Sequence, residues 1–231
     1  MKKIILALLL AAALSTATAD PRADAVAANK RADYSAELKI TRPLAAKGAA
    51  WAQSFLGDSF FYGKGVVQNF TEAVKWYRLA AEQGNADAQY NLGLIHTTGQ
   101  GVVQNYAEAA KWYRLAAEQG IAGAQYFLGL LHYRGEGVVQ NFTEAAKWYR
   151  RAAAQGDASA QLNLGLLHGD GQGVAQDYKK SHMWLNLAAV KGNKTSVNAR
   201  DDVAKRMTPQ QIGEAQEMAR QCMERNFKGC D

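Results

Sequence analysis

The stretch GNADAQYNLGLIHTTGQGVVQNYAEAAKWYRLAAEQ, residues Gly84–Gln119, decides the fold, because the next 36 residues, Gly120–Gln155, nearly reproduce it. Working outward, Gly48, Gly84, Gly120, Gly156 and Gly192 all stand 36 residues apart. Ala52-Gln53 returns at Ala88-Gln89, Ala124-Gln125 and Ala160-Gln161, and Leu56-Gly57 at Leu92-Gly93, Leu128-Gly129 and Leu164-Gly165. A G-x-G-V loop begins at Gly63, Gly99, Gly135 and Gly171. Trp76, Trp112, Trp148 and Trp184 keep one phase, as do the alanine pairs that start at Ala80, Ala116, Ala152 and Ala188. A fixed period in this range means stacked supersecondary units, none of which can bury its apolar face alone.

Each unit reads as two helices. In Gly84–Gln119, Ala88, Leu92, Ile95 and His96 follow helical spacing, which predicts a first helix (A) over about 86–98. Gly99-Gln100-Gly101 supplies the backbone freedom for a tight exit. Asn105 is an N-cap, with Glu108 three residues on for a capping box, and Asn69/Glu72 and Asn141/Glu144 repeat the device. The fourth copy has Asp177 and Lys180 instead. A second helix (B) then runs over about 106–119, with Tyr106, Ala110, Tyr113 and Ala117 on one face, and stops at Gly120.

The combination of these motifs resembles the Sel-one-like repeat family, relatives of the tetratricopeptide repeats, over Gly48 to Lys191. The resemblance implies an all-α, right-handed superhelical solenoid of antiparallel helix pairs, with A helices lining a concave wall. It also implies a scaffold for protein–protein contact, often in bacterial envelopes, rather than an enzyme. The expected organisation is 1–19 signal peptide, 20–33 N-terminal segment, 34–47 capping helix, 48–191 four repeats and 192–231 capping helix pair. Tyr34 to Lys47 aligns with a lone B helix, in which Pro43 predicts a kink or early end. Thr208-Pro209 with Gln211 marks the start of the last helix.

The first nineteen residues read as an export signal: Lys2 and Lys3, an apolar run from Ile4 to Leu14, then Ala17-Thr18-Ala19 before Asp20. Eleven apolar residues are too few for a spanning helix, which needs roughly 20. The expectation is therefore a periplasmic or secreted protein without a membrane span after signal removal. Without Lys2 and Lys3, 25 Lys+Arg stand against 21 Asp+Glu, a surplus of four. That surplus is scattered, with no basic cluster among aromatics, so a nucleic-acid partner is not expected.

Cys222 and Cys230 are the only cysteines. On one continuous helix their Cα atoms would stand about 12 Å apart, and a disulfide tolerates no more than about 7 Å. A bridge therefore requires the helix to end near Asn226 or Phe227 and the chain to return through Gly229; free or intermolecular thiols are the alternative. A weaker similarity to the cysteine-rich proteins of Helicobacter, which carry cysteine pairs eight apart in most repeats, implies β-lactam binding or hydrolysis as an alternative activity. No S-x-x-K, G-x-S-x-G or H-E-x-x-H occurs, so no catalytic residue is assigned and no cofactor is expected. His96, His132 and His168 share one repeat position. Equivalent points in successive units lie about 10 Å apart, too far for ligands that each need to sit about 2 Å from one zinc. Phe60 holds that slot in the first copy, so packing is the expected role and no metal site is assigned.

Opposite the packing stripe, each A helix carries a second stripe that varies between copies. Its candidate partner-binding residues are Trp51, Phe61 and Tyr62 in the first copy and Asp87, Tyr90, Leu94 and Thr98 in the second. The third contributes Tyr126, Leu130, Tyr133 and Arg134, and the fourth Leu162 and Leu166. By the tetratricopeptide resemblance this stripe faces the groove, where aromatic side chains are expected to anchor a protein or peptide partner of the cell envelope.

Overall fold

The computed structural model describes residues 20–190 and 192–230; the expected signal segment, 1–19, lies outside them. All regular structure among the described residues is α-helical, in keeping with a helical-repeat solenoid. The chain divides into two compact units, one ending at Gln83 and the other beginning at Gly84.

The first unit holds α1 (Pro21–Lys30), α2 (Tyr34–Ala46), α3 (Ala50–Tyr62) and α4 (Phe70–Glu82), each packed on the next. Residues 20–33, expected as a segment before a lone capping helix, thus contain a helix of their own, so the terminal element is a pair. Asp20 caps α1 and Pro21 takes its first turn, where the missing N–H is no loss. Pro43 does not end α2, which continues to Ala46. Lys39 and Pro43 are both exposed, so water can satisfy the carbonyl that Pro43 cannot bond. The buried carboxylate of Glu37 ties three helices together, accepting from Asn29 Nδ2 (2.6 Å) and Ser59 Oγ (3.4 Å).

The second unit holds α5 (Ala86–Thr98), α6 (Tyr106–Glu118), α7 (Ala122–Arg134), α8 (Phe142–Ala153), α9 (Ala158–Asp170), α10 (Tyr178–Ala189), α11 (Lys194–Ala204) and α12 (Pro209–Glu224). Consecutive helices from α5 to α11 pack on one another, and α12 packs on α10. Each A helix ends on a left-handed glycine (Gly99, φ +75°), a conformation open to glycine without steric penalty. The asparagine caps of the B helices are as read: Asn105 Oδ1 accepts the Glu108 N–H (3.1 Å) and Asn141 Oδ1 the Glu144 N–H (3.0 Å). Glu108 and Glu144 meanwhile pair with Lys111 and Lys147 one turn on. A reciprocal capping box closes between Thr208 and Gln211.

The recurring residues build the core, and the structure gives two of the repeated pairs their roles. Gly93 and Gly129 of the A helices lie against the rings of Tyr113 and Tyr149, which are fully buried. The absent side chain lets the two helices of a hairpin close until an aromatic ring fills the contact. Gln125, from the repeated Ala-Gln pair, donates to the carbonyl of Ala117 near the end of the preceding B helix (3.0 Å) and accepts from Gln155 at the end of the following one (2.9 Å). Gln161 repeats the first bond toward Ala153 (3.3 Å). These carbonyls lie in a helix's last turn, where Ala117 and Ala153 also accept the N–H of Gly120 and Gly156 (3.1 and 2.9 Å), and the glutamine of the next hairpin adds a second donor that sets the register.

Recurrence does not always mean burial. In the repeated Val-Val pair the first residue packs, Val66 and Val138 each against the core cluster of its own unit. The second stands almost fully in solvent, with Val103 at 88% and Val139 at 87% exposure. The chain bends at the first valine of the pair, and only that one reaches the core.

Cys222 and Cys230 form a disulfide with Cα atoms 5.3 Å apart. The helix stops at Glu224, and positive φ at Asn226, Phe227 and Gly229 turns the chain back, close to the path the spacing required. Both sulfurs join the core cluster of Tyr149, Leu164, Met183 and Trp184. No helix among the described residues is long and apolar enough to cross a membrane.

Candidate partner-binding face

The A helices of the second unit carry the richest part of the variable stripe. Tyr90 of α5 is half-buried, its ring 6.1 Å from that of Tyr113 and 6.3 Å from that of Phe127. It lies over Gly123, where an added Cβ would come within 3.0 Å of the ring. Tyr126 of α7 packs the same way against Phe127 (5.1 Å) and Tyr149 (6.0 Å). Leu94 and Leu130 are half-buried at the edge of the core. Asp87 is exposed, as is Thr98, whose hydroxyl turns back to the carbonyl of Leu94 (2.9 Å).

Farther along, exposure rises. Tyr133 is 38% and Leu166 39% exposed, and Tyr133 meets Phe142 edge-on at 5.4 Å. Arg134, also exposed, pairs loosely with Glu136 at 3.8 Å. Leu162 is half-buried. Five of the predicted residues, Tyr126, Leu130, Tyr133, Arg134 and Leu166, line one hollow of about 200 Å3 between α7 and α9, with Asn163 in its wall. Leu166 also borders a second hollow of about 220 Å3, whose other wall is Ala199, Asp202 and Val203 of α11 with Arg206 just beyond its end. These α11 residues lie in the segment read only as a cap. Their signal is Val197 and Val203 on an otherwise polar helix, too short a pattern to reveal an inner face.

Within the first unit, Trp51 packs partly into the core. Phe61 is half-buried among Tyr62, Phe70 and Tyr77, at 4.9, 5.2 and 6.3 Å, and Tyr62 is exposed. The Tyr77 hydroxyl donates to Asp58 (2.6 Å), which ties α4 to α3.

Burial raises the phenol pKa values of Tyr77, Tyr113 and Tyr149 well beyond the ordinary range, so these groups stay protonated. His132 and His168 are buried at their shared repeat position, where burial lowers their pKa. Each sends its backbone carbonyl to the N–H of the next N-cap, Asn141 or Asp177. The hollow between α7 and α9 sets the rings of Tyr126 and Tyr133 beside Arg134 and Asn163, and the one beside α11 sets Leu166 and Val203 among Asp170, Asp202 and Arg206.

A family model described as Sel1 repeat matches residues 52–85, 86–121, 122–157 and 158–193. Among solved structures, the chain is similar to a Sel1 repeat protein from Oxalobacter formigenes, at 38% identity and a TM-score of 0.71, over 77% of this chain and 73% of that one. It is also similar to c5321, a protective antigen of uropathogenic Escherichia coli with the same repeat fold, at 25% identity and a TM-score of 0.52. That match covers 90% of this chain but 58% of the antigen. A Sel1 repeat protein from Klebsiella pneumoniae shares the fold at 20% identity and a TM-score of 0.53, over 81% of this chain and 94% of that one. Comparison with curated protein sequences gives no match.

Proposed function

The chain belongs to the Sel1 repeat family, and from that membership we propose that it is an exported bacterial scaffold whose A-helix face holds a protein or peptide partner of the cell envelope. Sel1 repeat proteins generally act as protein–protein interaction scaffolds and are typically not enzymes. The observation that carries the reading is the hollow between α7 and α9, in which five residues of the variable stripe converge. Partly exposed tyrosines with rings already braced by neighbours lose little conformational freedom when a partner arrives, which favours them as anchors.

Export rests on the N-terminal pattern of Lys2, Lys3, Ile4–Leu14 and Ala17-Thr18-Ala19. The Cys222–Cys230 bridge suits an oxidising compartment. No observation favours the β-lactam alternative.

The test is affinity capture from envelope extract by the intact protein and by a Tyr126→Ala/Tyr133→Ala variant. The reading expects a partner retained by the first and lost by the second while both melt alike. Equal retention would remove the face from consideration.

A further inference from the structure

The fourth repeat leaves open a slot that the first and third fill with an aromatic ring. The hollow between α7 and α9 has a counterpart one repeat on, between α9 and α11. Tyr133, Arg134, Leu166 and Leu167 in the one correspond, 36 residues later, to Gly169, Asp170, Asp202 and Val203 in the other. The decisive change is from tyrosine to glycine. In the third repeat the ring of Tyr133 stands edge-on to Phe142, the first residue of the B helix, at 5.4 Å. In the first, Phe61 meets Phe70 in the same way at 5.2 Å. In the second, Thr97 holds the position and shares a hydrogen bond with the Tyr113 hydroxyl (3.2 Å). In the fourth, Gly169 puts no side chain beside Tyr178.

Tyr178 and Ser181 of α10 line this second hollow of about 220 Å3. Ser181 also departs from the repeat, since Ala73, Ala109 and Ala145 hold its position. It is fully buried, and its hydroxyl has no hydrogen-bond partner among the described residues. That hydroxyl points to where the side chain of residue 169 would be: a Cβ built on Gly169 would stand 3.0 Å from Ser181 Oγ. A buried hydroxyl left unpaired costs free energy that a hydrogen-bonding occupant recovers. Charge does not choose the occupant. Asp170, Asp202 and Arg206 stand exposed at the mouth, Asp202 pairs with Lys205 (2.6 Å), and Arg206 donates to the Tyr178 hydroxyl (3.4 Å), so acids and bases balance.

Resting on the reading of the A-helix face as partner-binding, we propose that this hollow takes one tyrosine side chain of the partner, in the place that Phe61 and Tyr133 fill in their own repeats. A ring entering from solvent arrives tip first. Its phenol oxygen then reaches Ser181 and shares a hydrogen bond with it, while Leu166, Tyr178 and Val203 flank the ring. A phenylalanine fills the same space but leaves the Ser181 hydroxyl unpaired, and a site built around a hydrogen bond discriminates against the analogue that lacks it.

The test is a nuclear magnetic resonance titration of the isotope-labelled protein with N-acetyltyrosinamide and, separately, with N-acetylphenylalaninamide. Saturable shifts are expected at the amides of Gly169, Ser181 and Val203, with the tyrosine compound binding about tenfold more tightly. Ser181→Ala should weaken the tyrosine compound alone and so remove the preference. Gly169→Tyr/Ser181→Ala restores the Tyr133 and Ala145 of the third repeat and should abolish the shifts, its folding being checked by thermal melting against wild type. Absence of saturable shifts in wild type, equal affinity for the two compounds, or a preference that survives in Ser181→Ala would overturn the site. The titration needs no partner, so its failure is separable from that of the scaffold reading. Capture that is lost with Tyr126→Ala/Tyr133→Ala but kept by the variant with the filled slot would sink this hollow alone.

Discussion

Gly129 lies directly against the ring of Tyr149: a Cβ built on the glycine would stand 2.8 Å from two carbons of that ring. The tyrosine is fully buried, so it cannot retreat into solvent. The same pairing joins Gly57 to Tyr77 and Gly93 to Tyr113, which makes it the closure point of the hairpin within each of the first three repeats. In the fourth, Gly165 meets Leu185.

Gly129→Ala sets two effects against each other. Alanine favours the helix by about 1 kcal/mol over glycine. Overpacking a rigid core costs about 1–3 kcal/mol, and here the obstruction is a buried ring. The steric effect should win, with net destabilisation of up to about 2 kcal/mol in urea unfolding. A stabilised variant would show that the hairpin can open at this point.

Gln125→Ala removes the donor to Ala117 and the acceptor for Gln155. The Ala117 carbonyl keeps the Gly120 N–H (3.1 Å), so the loss expected is that of a net hydrogen bond, about 1 kcal/mol. A double-mutant cycle with Gln155→Ala should show coupling between the two side chains. Strict additivity would mean that the bond contributes nothing.

Stability should fall as the solution is acidified, before the carboxylates begin to titrate. Burial lowers the imidazole pKa values of His132, His168 and His182 below the ordinary value of about 6.5. Between that value and the lower folded-state values, the unfolded chain takes up protons that the folded chain refuses, so unfolding becomes easier as pH drops. The contribution is complete above about pH 7 and diminishes as pH falls below about 6.5. Denaturant midpoints at pH 7.5 and 5.5 measure it. His182→Ala, which supplies the alanine of Ala110 and Ala146, should flatten the slope. An unchanged slope would remove His182 as a contributor.

Reduction of Cys222–Cys230 should loosen the end of the second unit. Closing a loop of about eight residues restricts the unfolded chain by about 2–2.5 kcal/mol in the chain-entropy account. The Cys222→Ala/Cys230→Ala variant should lose roughly that much, with faster amide exchange confined to α12 and residues 225–230. Intact mass before and after reduction and alkylation counts the thiols, and on the export reading the mature chain begins at Asp20. Two free thiols in unreduced protein would contradict the bridge.

The A and B helices, their caps and their glycine ends were legible residue by residue. The hairpin and its period of 36 are written in short-range chemistry: an asparagine that accepts a nearby amide, a glycine that turns left-handed, apolar residues three and four apart. These need no knowledge of distant neighbours. Burial is another matter, because it depends on what arrives from the next helix. Of the adjacent valines at 138 and 139, equally apolar, one packs and the other is exposed. Tyr90 and Tyr126 belong to the variable stripe, yet neighbouring rings cover part of each, while Tyr133 and Leu166 remain more open. The cysteine spacing required a turn, but only the packed α12 brings the two Cα atoms to 5.3 Å. Sequence thus determined the repeated hairpin, whose hydrogen bonds close within a few residues. Tertiary packing decided which side chains remain for a partner, since accessible surface is what neighbouring helices leave uncovered.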